Sequence, residues 1–65
     1  MKRTDIARMY FPDLKTKSAV RKLNMWIRRC PELYERLHAN GAQFDFKQEL
    51  TIKEFLLIKE YLGDP

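Results

Sequence analysis

Pro12 and Pro31 bracket the longest helical pattern in the chain, and their placement governs most of what it can fold into. Proline lacks an N–H and disfavours helix at the residue before it, so both positions break any helix that would run through them. Residues 16–30 between them carry the single tryptophan and the densest basic charge. With successive residues about 100° apart, Ala19, Val20, Leu23, Trp26, Ile27 and Cys30 fall within an arc of about 120°, a core-facing stripe. Lys17, Arg21, Asn24 and Arg28 form a second stripe about 60° wide, roughly 130° from the first. Thr16 or Ser18 is expected to cap this helix, and Pro31 to stop it near Arg29 or Cys30.

The flanking elements are short and must pack on this helix. Thr4 and Asp5 are good caps for Ile6-Ala7-Arg8-Met9-Tyr10-Phe11, which Pro12 should end near Tyr10. Two turns of helix do not persist alone. Leu14 is expected to anchor the following turn inward. Pro31 suits the first position of a third helix, with Glu32 in its first turn, Leu33, Tyr34 and Leu37 on its apolar side, and Asn40-Gly41 at its end. Residues 42–48 alternate, with Phe44 and Phe46 on one face, and read as a short extended piece. Its local pairing candidate is Met1-Lys2-Arg3; otherwise the partner is another copy or there is no sheet. Thr51-Ile52-Lys53-Glu54 is a capping box that starts a last helix. Ile52, Phe55, Leu56, Ile58 and Leu62 give that helix a broad apolar face, Lys59 interrupts it and must reach to water, and Gly63 ends it.

These elements add up to a mainly α fold: one compact four-helix domain over residues 1–65, with a helix-turn-helix-like N-terminal half and at most a minimal β element near residues 44–47. The expected core is Ile6, Tyr10, Leu23, Trp26, Ile27, Leu33, Leu37, Phe55 and Ile58. A 65-residue chain buries only about 60% of its unfolded surface, so its stability should be modest. One cysteine cannot form an internal disulfide, and with one histidine it cannot build a structural zinc site; a reducing cytoplasm fits. No apolar run follows the N-terminal residues as in a signal peptide, and no membrane-spanning stretch is present, so no membrane partner is expected.

Chemistry is sparse. His38 is read as a surface residue at a helix end, and Cys30 as a buried structural thiol. No phosphate loop, metal-ligand cluster or nucleophile motif occurs, which argues against an enzyme, a cofactor or a small-molecule substrate. The net charge of +4 is unevenly held: residues 1–29 carry nine Lys or Arg against two Asp, and residues 30–65 carry four against seven acids. A basic half points to an anionic partner. A short helix, a connection and a second helix with outward basic and amide side chains match a helix-turn-helix reader of double-stranded DNA. Lys17, Ser18, Arg21 and Lys22 would approach base edges, with Arg suited to guanine and Asn24 to adenine. Lys15 suits phosphate, and Lys2, Arg3, Arg8, Arg28 and Arg29 could add backbone contacts. The competing class is a protein-interaction or homodimerisation module in which Phe44, Phe46 and the acidic second half meet a partner.

Ile6-Ala7-Arg8-Met9-Tyr10-Phe11-Pro12, Ser18-Ala19-Val20-Arg21-Lys22-Leu23 with Trp26-Ile27, Cys30-Pro31-Glu32-Leu33, Thr51, and Tyr61-Leu62-Gly63-Asp64-Pro65 together carry a resemblance. The chain resembles a domain-of-unknown-function family of short bacterial proteins found mainly in gut anaerobes. The resemblance supports the fold and brings no activity with it. Residues 41–50 depart from the family pattern: similar proteins tend to carry a tyrosine after the glycine and a basic residue before the capping threonine, where this chain has Ala42 and Glu49-Leu50. A wing-like contact with DNA by that segment is therefore not expected here. The general layout is similar to that of the small winged-helix regulators seen among excisionases, by analogy only.

Overall fold

Helix α2, Thr16–Arg28, is the element on which its two sequence neighbours pack in the computed structural model, which describes residues 1–39, 44 and 47–65. Helix α1 spans Arg3–Tyr10, α3 Pro31–His38 and α4 Ile52–Leu62. The α1–α2 pair makes the most extensive helix contact, α3 packs on α2, and α4 packs on α3. The core runs through all four helices and the segment before α4: Ile6, Ala7, Ala19, Leu23, Ile27, Leu33, Leu37, Phe44, Leu50 and Ile58 are buried. Leu23 and Ile27 occupy the centre of the stripe expected for α2, while Val20, Trp26 and Cys30 form its half-buried rim. Tyr10 and Phe55, expected in the core, are likewise half-buried at its margin.

Pro31 sits at the first position of α3, where its missing N–H costs nothing, and α2 ends with Arg29 as its C-cap. The starts of α1 and α2 differ from expectation. Lys2 and Lys15 hold the N-cap positions without side-chain caps; Thr4 and Asp5 lie within the first turn of α1, and Thr16 and Ser18 within that of α2. At α1 a backbone partner replaces the cap. The Arg3 N–H donates to the Gln48 carbonyl at 2.8 Å, and the Leu50 N–H donates to the Met1 carbonyl at 2.7 Å. This is the one β contact among the described residues, an antiparallel bridge between Lys2 and Glu49.

The Met1-Lys2-Arg3 partner expected for the extended piece is therefore used at Glu49, beyond the end of that piece. The Lys47 N–H instead points back to the Phe44 carbonyl (3.4 Å), a turn contact. Residues 40–43, 45 and 46, including the Asn40-Gly41 helix end and Phe46, lie outside the described residues. Leu14 is exposed, and Phe11 takes the inward role in the α1–α2 connection, its ring edge-on to Trp26 at 5.0 Å. An aromatic ring has more apolar surface to bury than leucine and gains the edge-to-face contact with the rim tryptophan.

The start of α4 is fixed as its sequence implies. The Thr51 hydroxyl accepts from the Glu54 N–H at 3.1 Å, and the Glu54 carboxylate accepts from the Thr51 N–H at 2.8 Å. Glu54 is also buried and takes an ion pair from Lys47 Nζ at 2.8 Å. Burial alone would raise its carboxyl, but the hydrogen bond and charge of Lys47 and the two Thr51 contacts outweigh it and hold the pKa below 4.5. At the other end Gly63, at φ 85°, closes α4 in a conformation that disfavours side chains. The Gly63 carbonyl accepts from the Tyr10 hydroxyl at 2.5 Å, tying α1 to the end of α4. Burial, and then the Asp64 carboxylate, push the Tyr10 phenol up. Lys59 reaches solvent as expected and meets Asp64 at 3.4 Å.

A folded-state pKa below the unfolded value means that Glu54 stabilises the fold above pH 4.5 and loses that contribution as pH falls through the lowered pKa. Glu54→Gln is expected to cost about 1–2 kcal/mol at neutral pH. Thermal unfolding of both proteins from pH 7 downward should show their difference shrinking below pH 4.5; a constant gap would show that ionisation of Glu54 is not its source.

Candidate nucleic-acid interface

The outward side of α2 is built by the same period that builds its core face. Lys17, Arg21 and Arg28 are exposed along one line, with Lys15 at the N-cap, Ser18 and Lys22 on one flank and Arg29 at the C-cap, all exposed as well. Lys17, Val20, Arg21, Asn24, Met25 and Arg28 together line a shallow depression. Between Asp13 and Glu32 the chain has no acidic residue. Among the described residues none of the six cations from Lys15 through Arg29 has a carboxylate partner; the ion pairs found involve Met1, Arg36, Lys47 and Lys59. Their like charges are left facing solvent on one helix.

Lys22 differs from the others. Its ammonium lies 5.0 Å from the Phe11 ring centroid and 5.9 Å from that of Trp26, so its stem covers the α1–α2 connection while its charge stays at the surface. Met25, 44% exposed, places an apolar side chain inside the basic face, a feature that the charge pattern alone does not reveal.

Two of the residues expected to meet DNA are engaged inside the protein. Arg3 is only 6% exposed. Its Nη1 donates to Asn24 Oδ1 at 2.8 Å, its Nη2 donates to the Phe44 carbonyl, and its guanidinium lies 4.5 Å from the centroid of the Phe44 ring. Arg3 thus points away from any phosphate. Bidentate recognition of adenine needs both the oxygen and the nitrogen of an asparagine amide. The Asn24 oxygen is already used, so Asn24 supports α2 against α1 and does not serve as a base reader while Arg3 holds it. The same cluster accounts for Phe44, which was expected on an exposed partner-binding face. It is 3% exposed, beneath Arg3 and 5.6 Å from the His38 ring.

His38 is half-buried, not a surface residue. Its Nδ1 is 2.8 Å from the Tyr34 carbonyl, which can only accept, so Nδ1 carries the proton. Its ring centroid lies 4.1 Å from that of Tyr34. Among the described residues no group of His, Cys, Asp and Glu is placed to hold a metal ion, and no helix is long and apolar enough to cross a membrane.

With Arg3 replaced by Met, the Asn24 oxygen and the Phe44 carbonyl lose a charged donor, and stability should fall by about 3 kcal/mol. Arg21→Ala, on the exposed face, should change it by less than about 0.5 kcal/mol. Denaturant titration of both variants separates the buried tie from the open cation.

A family model described as a domain of unknown function (DUF4248) matches residues 1–65, and the chain belongs to that family. No match was found among curated proteins or among solved structures.

Proposed function

We propose that this chain is a small, non-enzymatic, helix-turn-helix-like DNA-binding module of the cytoplasm that docks the exposed face of α2 in the major groove. The observation that carries the reading is the row of six exposed cations from Lys15 through Arg29, uninterrupted by an acid and without carboxylate partners among the described residues. Exposed like charges on one helix oppose folding slightly, and an anionic partner relieves that cost. At 1.5 Å per residue, Lys17 and Arg28 stand about 16 Å apart along the axis, enough to span a major groove about 12 Å wide. Lys17, Ser18, Arg21 and Lys22 approach base edges, with Arg21 able to read guanine through two hydrogen bonds. Lys15, Arg28 and Arg29 neutralise phosphate, and Lys2 and Arg8, both exposed, add to the field.

The test is binding of a mixed-sequence DNA duplex followed by fluorescence anisotropy over a series of salt concentrations. With about five phosphate contacts, the logarithm of affinity should fall against the logarithm of salt with a slope of about −4 to −5. Arg21→Ala should weaken binding roughly tenfold or more while the fold is kept. Absence of binding at low salt, or affinity indifferent to salt, would overturn the proposal.

A further inference from the structure

We infer that the outer face of α4 is a self-association surface, on which a second copy of this chain docks through the same helix in antiparallel orientation. Apolar residues take seven of the eleven positions of α4 and spread around its circumference. A helix of that kind is covered on both sides in a finished structure. The inner side of α4 is covered: Ile58 and Glu54 are buried. The outer side is open. Ile52 is 68% exposed and Leu56 53%, the two most exposed large apolar side chains among the described residues, and they stand one turn apart as a ridge.

The charges beside the ridge identify the occupant. At about 100° per residue, Lys53 and Glu60 fall on the same flank of the Ile52–Leu56 line, about 20° apart. Both are exposed, and neither is in an ion pair among the described residues. Lys53 precedes Leu56 by three positions and Glu60 follows it by four, with opposite sign. A two-fold axis near Leu56 therefore sets Lys53 of each copy against Glu60 of the other, twice, while the Leu56 side chains meet across the axis. A parallel pair would turn the two Lys53–Glu60 flanks to opposite sides of the seam, so that neither charge could reach its opposite, and a uniformly acidic or basic partner would leave one of the two charges facing its like. A second antiparallel copy satisfies both. The contact of one helix is well below the roughly 800 Å² per partner of a standard interface, so the association is weak and reversible. It uses none of the cations of α2.

Sedimentation equilibrium of the full chain from micromolar to millimolar concentration tests this. The weight-average mass should climb from 7.9 kDa toward twice that value. Leu56→Asp should remain monomeric throughout with an unchanged helical circular-dichroism spectrum, because the side chain it replaces is already exposed. Lys53→Glu should weaken association roughly tenfold through like-charge opposition, and the exchange Lys53→Glu with Glu60→Lys should restore it. Arg21→Ala should associate as the unaltered chain does. A constant monomer mass at all concentrations, association undiminished in Leu56→Asp, or an exchange variant no better than Lys53→Glu alone would each overturn the inference.

Discussion

A guanidinium in the interior holds three separate parts of this small chain in register. Arg3 leaves the first turn of α1, reaches Asn24 on α2 and the Phe44 carbonyl in the segment before α4, and sets its guanidinium over the Phe44 ring. A buried cation is costly unless its donors are used, and the donors of arginine radiate in a fixed plane. The partners must therefore come to it in one arrangement. Apolar contacts alone would tolerate sliding of α1 along α2. Directional bonds from Arg3 to two elements do not.

Around that centre residues 1–10 close onto the segment from Glu49 to Gly63. Met1 donates to the Leu50 carbonyl at 2.9 Å and pairs with Glu49 at 3.3 Å, while Tyr10 reaches Gly63. Helix α4, which packs chiefly on α3, is fastened at its start by the Thr51–Glu54 box with Lys47 and at its end by Tyr10. A core of this size stabilises only modestly, so polar fastenings at the helix ends carry a larger share than they would in a larger domain.

Much of the fold was legible because it rests on local information. Hydrophobic period defined α2 and its two faces, Pro12 and Pro31 set the breaks, and Thr51-Ile52-Lys53-Glu54 announced α4. Features that depend on distant segments were not legible. The starts of α1 and α2 carry no side-chain caps, and at α1 the Gln48 carbonyl, far along the chain, accepts from the Arg3 N–H. Arginine reads as a surface residue by type, and nothing within residues 1–10 shows that Asn24 and Phe44 wait for it. The same long-range cluster buried Phe44, engaged Asn24 and drew His38 inward. In the candidate interface, the cations of α2 were visible from the wheel, whereas the commitment of Asn24 and the placing of Met25 among the charges required three dimensions.

The pairing of the first residues with the segment before α4 also bears on how the molecule comes together in time. It joins groups 48 and 49 positions apart, and the Tyr10–Gly63 bond joins groups 53 apart. Helices α2 and α3 are neighbours in sequence and can meet early, after little loss of chain freedom. Bringing the first residues to the segment before α4, or Tyr10 to Gly63, requires closing a loop of about fifty residues, which costs about 3.5 kcal/mol in its length-dependent part alone. The Met1–Leu50 and Tyr10–Gly63 contacts are thus placed to form last, and the seam between residues 1–10 and residues 49–63 is where the fold would first reopen.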